Sequence, residues 1–74
     1  MNMKFKDLFK VIVNADFYYI CIHTVEKGTL KLINSEIIST SDLSSLEKYF
    51  DKQVQCIHSL KYNNAYDYNV TLFK

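Results

Sequence analysis

Hydrophobic and polar positions along the chain change period several times. Phe5, Leu8, Phe9 and Ile12 recur at i, i+3, i+4 and i+7, with Lys4, Lys6, Asp7 and Lys10 largely opposite. This is one apolar face of a short amphipathic helix over residues 4–14. Valines are weak helix formers, so the helix is expected to stop by Asn14. Residues 17–25 are β-branched and aromatic and predict a strand, with Ile20 and Ile22 toward the core and Cys21 and His23 away from it. Glu26, Lys27 and Gly28 predict a turn, with Gly28 free to take positive φ, and residues 29–34 return as the second arm of a hairpin. Glu36, Ile37 and Ile38 either extend that arm or begin a loop.

The second half repeats the order. Thr40 or Ser41 can cap a helix near 42–50, Ser44 and Glu47 have capping-box spacing, and Leu43, Leu46 and Phe50 line one face. Residues 53–62 alternate, placing Val54, Cys56, His58 and Leu60 on the apolar side. Asn63, Asn64 and Ala65 predict a turn, and Tyr66, Tyr68, Val70 and Leu72 alternate in a last strand expected at a sheet edge. The order α-β-β-α-β-β predicts one α+β domain over residues 1–74. It is expected to be a two-layer sandwich with a four-stranded, largely antiparallel sheet.

A shift of 35 residues lays Cys21-Ile22-His23 over Cys56-Ile57-His58 and Asp7-Leu8 over Asp42-Leu43. Such an echo fits either a duplicated α-β-β unit or chance. The expected faces argue against duplication, since Cys21 and His23 turn from the core while Cys56 and His58 turn toward it.

Composition narrows the function. A chain of 74 residues buries only about 60–65% of its unfolded surface, so its core is thin. One glycine excludes the Walker and dinucleotide phosphate loops, which need at least two. A formal charge of +1 excludes both an acidic DNA mimic and a basic duplex-binding stripe. All nine basic residues are lysine, which removes the arginine fork used to read guanine and clamp phosphate. No apolar run approaches the roughly 18 residues of a membrane span, and no secretory signal opens the chain. Cytoplasmic placement and two free thiols are therefore expected.

Candidate chemistry is sparse. Two Cys-x-His pairs, Cys21/His23 and Cys56/His58, would present four zinc-type ligands if their strands lay side by side. The spacing of one residue and the lack of a nearby glycine favour ordinary core cysteines and half-buried histidines instead. A Cys–His nucleophile lacks an orienting group and an oxyanion loop, and the carboxylates are scattered singly. No catalytic residue, metal site or cofactor is therefore assigned.

Six tyrosines stand out in so small a chain. Tyr18, Tyr62, Tyr66 and Tyr68 are the candidate partner-binding residues, as protein hot spots or, beside Lys61 and Lys74, as stacking platforms for single-stranded bases. Closing the thin core would use them equally well.

The opening Met3-Lys4-Phe5-Lys6-Asp7-Leu8-Phe9-Lys10-Val11-Ile12, the stretch from Leu46 to Ile57 with Tyr49-Phe50-Asp51-Lys52-Gln53-Val54, and the closing Tyr68-Asn69-Val70-Thr71-Leu72 carry a resemblance. The chain resembles small proteins encoded by phages and prophages of low-GC Gram-positive bacteria, although Phe50 sits where leucine is more usual. Some such proteins are anti-defence products, anti-CRISPR inhibitors among them. The resemblance implies a non-enzymatic protein–protein interaction module, with a host defence nuclease among the targets it suggests, and transfers no functional residue. A homodimer is expected, since pairing would enlarge a thin core and cover a strand edge. The alternatives are a single-stranded nucleic-acid binder and a small Cys/His metal-binding module.

Overall fold

A computed structural model describes residues 3–12, 19–59 and 68–74. Helix α1 spans Phe5–Ile12, strands β1 and β2 span Tyr19–Val25 and Leu32–Ser39, and helix α2 spans Leu43–Leu46. A 3-10 turn, Glu47–Tyr49, continues α2, and strands β3 and β4 span Val54–Ser59 and Tyr68–Phe73. The fold is a small α+β arrangement with a four-stranded sheet in the order β2-β1-β4-β3. Both sequential pairs are antiparallel, and β1 and β4 meet in parallel at the centre.

The periodicities explain the core. Phe5, Leu8 and Phe9 of α1, Leu46 of α2 and Tyr49 join Ile20, Ile22, Ile38, Val54, Val70 and Leu72 in one buried cluster. The ladder pairs Ile20 with Ile38, Ile22 with Val70, and Val54 with Leu72, so every strand contributes to the same sheet face. Rings of Phe5, Phe9 and Phe50 form a tilted triangle with centroids 5.7–6.1 Å apart. The opening turn of α1 leaves amides without helical acceptors. Phe5 N–H donates to the Lys52 carbonyl at 2.9 Å and Lys6 N–H to the Phe50 carbonyl at 3.1 Å, which anchors the helix beside β3.

Several expectations are corrected. Helix α1 spans Phe5–Ile12, within the expected 4–14, and strand β2 runs on through Ser39, which decides the open reading of residues 36–38. The second helix, by contrast, is a single α turn plus a 3-10 turn where one helix near 42–50 was expected. Its N-cap is Asp42, whose carboxylate accepts from Ser45 N–H at 3.3 Å and from the hydroxyls of Ser44 and Ser45. A carboxylate accepts from three donors at once, which a Thr40 or Ser41 hydroxyl cannot. Among the described residues, strand β4 is central, and β2 and β3 are the edges. The expected turn at residues 63–65 lies outside the described residues.

The largest correction concerns β3. Val54 pairs with Leu72 and Cys56 with Thr71, so Gln55 is an extra residue on one side of the ladder. A bulge advances the alternation by one position and turns every later side chain over. Ile57 therefore packs against the core while Cys56 and His58 are exposed, the reverse of the expected faces. Both Cys-x-His pairs thus point away from the helices. Topology nevertheless opposes a tandem repeat. With β1 and β4 parallel, an in-plane half turn that aligns β3 with β1 changes the order to β3-β4-β1-β2. β4 then lies on the opposite side of β3 from the side of β1 that β2 occupies. The two α-β-β halves have opposite hand and do not superpose as rigid units.

Candidate functional site

The sheet face turned away from the core cluster is laid out by register. Ile37, Cys21, Asn69 and His58 form one cross-sheet row, and Ser35, His23, Thr71 and Cys56 form the next. His23 sits in the middle and is held by both ring nitrogens. Its Nδ1 lies 2.7 Å from Ser35 Oγ, and its Nε2 lies 3.2 Å from Asn69 Oδ1 and 3.4 Å from Cys21 Sγ. An amide oxygen only accepts, so Nε2 donates to Asn69, and in the neutral ring Nδ1 accepts from the Ser35 hydroxyl. The imidazole thereby ties central β1 to β2 on one side and β4 on the other.

Burial pushes the Cys21 thiol pKa up, the opposite of what a thiolate nucleophile needs. The side-by-side arrangement that four zinc ligands from the Cys-x-His pairs would need is not realised. β4 lies between β1 and β3, so Cys21 and His58 are two strand spacings apart, roughly 9–10 Å. Among the described residues, no group of three or more His, Cys, Asp or Glu side chains could hold a metal. The same separation puts Cys21 and Cys56 beyond the roughly 7 Å limit for a disulfide, and both are free.

Tyr18, Tyr62 and Tyr66 lie outside the described residues. Tyr68 alternates with Val70 and Leu72 on the helix side, packs half-buried against the core cluster, and has its phenol pKa raised by burial.

A feature that sequence reasoning missed lies at β2. This edge strand has eight residues, and only Ile38 among them is buried. Leu32, Ile33 and Ile37 are 58%, 46% and 51% exposed, and Tyr19 beside them is 39% exposed. Thr24 pairs with Asn34 but Val25 with Leu32, so Ile33 is the extra residue of a bulge and comes to the outer face with Leu32. In the preceding turn, Gly28 takes φ +89° as its type allows, and exposed Leu30 takes φ +56°. A non-glycine residue in the left-handed region costs about 1 kcal/mol, stored next to the exposed apolar stretch.

On its other face β2 is pinned. Glu36 Oε1 accepts from the Tyr49 hydroxyl at 2.6 Å and lies 3.2 Å from Lys48 Nζ. These donors hold the Glu36 carboxyl below the usual carboxylate range. Alternation of Ile33, Ser35 and Ile37 against Asn34, Glu36 and Ile38 was visible in the sequence. Which set faces the core was not.

A second surface is cationic. A cleft of about 270 Å³ is lined by Lys4, Lys27, Lys52 and Lys74 together with Asp51 and Phe73. Asp51 also approaches Lys6 at 3.9 Å, but both side chains are exposed and the pair is worth little.

Compared with protein-family models, curated proteins and solved structures, the chain matches none. No helix among the described residues is long and apolar enough to cross a membrane.

Proposed function

We propose that this chain is a non-enzymatic protein–protein interaction module. In this reading it is a two-layer α+β domain of phage or mobile-element origin that works in the host cytoplasm by occluding a protein of host defence. The observation that carries the proposal is the β2 edge. It is eight residues long, with Leu32, Ile33 and Ile37 exposed along it. Edge strands with unpaired amides and carbonyls pair readily with other chains, and proteins that avoid this shorten, bulge or charge them. Only the first end of β2 is bulged, and its one charge, Glu36, is engaged by Tyr49 and Lys48. Tyr19 extends the patch, and tyrosine is enriched among residues that anchor interfaces.

The test is capture from a lysate of a low-GC Gram-positive host with tagged protein, using Ile37→Lys as the comparison. A specific host protein retained by the native chain and lost with Ile37→Lys supports the reading. Retention unchanged by the substitution would refute the role of β2.

A second reading is favoured by the lysine cleft: binding of single-stranded nucleic acid, with Phe73 offering a ring for stacking. Its affinity would fall steeply with added salt. A filter-binding series with a short single strand, native against Lys4→Gln/Lys52→Gln, decides it.

A further inference from the structure

We infer that β2 pairs with β2 of a second copy of this chain, antiparallel about a two-fold axis through Ser35, extending the sheet to eight strands. This rests on the interaction reading above and gives it a partner and a register.

The two edges of the sheet differ in a way that selects β2. Among the described residues, β3 is bulged at Gln55 in its first half and presents Cys56 and His58 outward. The bulge of β2 lies at one end, at Ile33, and the ladder from Asn34 to Ser39 is regular, so Ser35 and its two neighbours sit in unbulged strand. A regular edge is the better template for another strand.

Self-complementarity selects the occupant. A continuous sheet keeps outer-face residues opposite outer-face residues, which leaves registers that differ by two positions. Centring on Ser35 sets Ile33 opposite the partner's Ile37 and, by symmetry, Ile37 opposite the partner's Ile33. On the helix side the same register sets Asn34 opposite the partner's Glu36, a neutral amide donor against a carboxylate. Centring on Glu36 would oppose two carboxylates and set Ser35 against the partner's Ile37. Centring on Asn34 would set Ile33 against the partner's Ser35 and Leu32 against the partner's Glu36. Apolar cross-strand pairs stabilise an antiparallel ladder, and like charges directly opposed destabilise it. Centring on Ile37 would oppose the two Ile37 side chains but leave Ile33 opposite the partner's Ser41, beyond the end of β2. The Ser35 register alone pairs both Ile33 and Ile37 with apolar partners and avoids the carboxylate clash. The edge is also electrically quiet, because Glu36 is its one charged side chain and Lys48 lies beside it.

Light scattering across low to high micromolar concentration reads the mass, and oxidation reads the register. The native chain is expected to move from 8.7 kDa toward twice that mass. Ile37→Lys, at a position half exposed in the single chain, is expected to stay at 8.7 kDa with native circular dichroism. Val11→Lys, at an exposed position on α1, should associate as the native chain does. Opposed residues in antiparallel strands have Cα atoms about 4.5 or 5.5 Å apart, both within disulfide range. Ser35→Cys in a Cys21→Ala/Cys56→Ala background is therefore expected to give a covalent dimer that the background alone does not.

A dimer lost with Ile37→Lys but not crosslinked through residue 35 would overturn the register. A dimer that survives Ile37→Lys would overturn the β2 interface. A monomer at every concentration that still captures a host protein through β2 overturns self-pairing and leaves the interaction reading standing. A monomer that captures nothing overturns both.

Discussion

Replacing Tyr49 by phenylalanine removes the hydroxyl that fastens the exposed edge strand through Glu36 and also bonds the Asn34 side chain. The ring is only 7% exposed and stays packed in the variant, so no cavity opens and the change is confined to one hydroxyl. That hydroxyl donates to Glu36 Oε1 at 2.6 Å. Hydrogen bonds to charged groups contribute about 1.5–3 kcal/mol when protected from water. The Glu36 side chain is 32% exposed and keeps Lys48 at 3.2 Å, so the carboxylate is not orphaned. Solvent and the remaining partner bring the expected loss to about 1–2 kcal/mol. A domain of this size has a total of about 4–11 kcal/mol, so the loss is visible as a fall in melting temperature of roughly 5–15 °C. The dependence on pH follows from both partners. Glu36 is held below its ordinary value of 4.5, chiefly by Tyr49 and then by Lys48, so its contribution is full above that value and fades as pH falls through the folded pKa. Tyr49 is pushed from 10.0 up to about 12, first by burial and then by Glu36, so its contribution is full below 10 and is lost as pH rises through about 12. Urea unfolding of the native and Tyr49→Phe chains across pH should show a gap that is flat near neutrality and narrows at both ends. A gap of zero at pH 7, or one that persists undiminished in acid, refutes the assignment.

Leu46→Ala removes the one buried side chain of α2 and is expected to cost about 2–4 kcal/mol by urea unfolding, because so short a helix cannot rebuild the core around the gap. Asp42→Ala should lower the melting temperature at neutral pH. Its serine partners depress the Asp42 carboxyl, so the deficit should disappear as pH falls through that lowered pKa, in the same calorimetric series. Iodoacetamide should label exposed Cys56 before half-buried Cys21, whose thiol is raised by burial; peptide mass spectrometry that finds Cys21 first contradicts the difference in exposure between the two thiols.

Much of the helix side was legible in the sequence because single periods ran uninterrupted there. Phe5, Leu8 and Phe9 at helical spacing, and Ile20 with Ile22 at strand spacing, all reach the core cluster. Gly28 marks the hairpin because only glycine takes φ +89° without strain. Pattern reading failed wherever an inserted residue changed the phase. Gln55 looks like one more polar position in an alternating run, yet as a bulge it carries Cys56 and His58 to the opposite face. Local pattern also carries no information about strand order. β4 closes the described chain and reads as an edge, but its parallel pairing with β1 is a contact between segments nearly fifty positions apart. The β2 edge was hidden for a third reason. LINSEIIS has apolar residues in both alternating sets, so neither set declares itself as the core face. The tie from Glu36 to Tyr49, thirteen positions away, is what fixes it.

Neighbouring residues of β2 are fastened from opposite sides of the sheet, which bears on why an open edge can serve recognition. Ser35 bonds His23 on the outer face at 2.7 Å, and Glu36 bonds Tyr49 on the helix side at 2.6 Å. Ile38 is the one buried residue of the strand, so apolar burial alone would hold β2 weakly. A strand attached only by its ladder would fray, and a partner would have to order it at an entropic cost of about 1–2 kcal/mol per backbone residue. The two side-chain ties fix the middle of the strand while Ile33 and Ile37, two positions to either side of Ser35, remain uncovered. Stiffness therefore comes from polar contacts with the parent sheet and helix, and the apolar surface is left for whatever docks. On this argument Tyr49→Phe and His23→Ala should weaken association as well as folding, even though neither side chain would touch the partner. If both variants associated with native affinity, the edge would owe its order to the ladder alone.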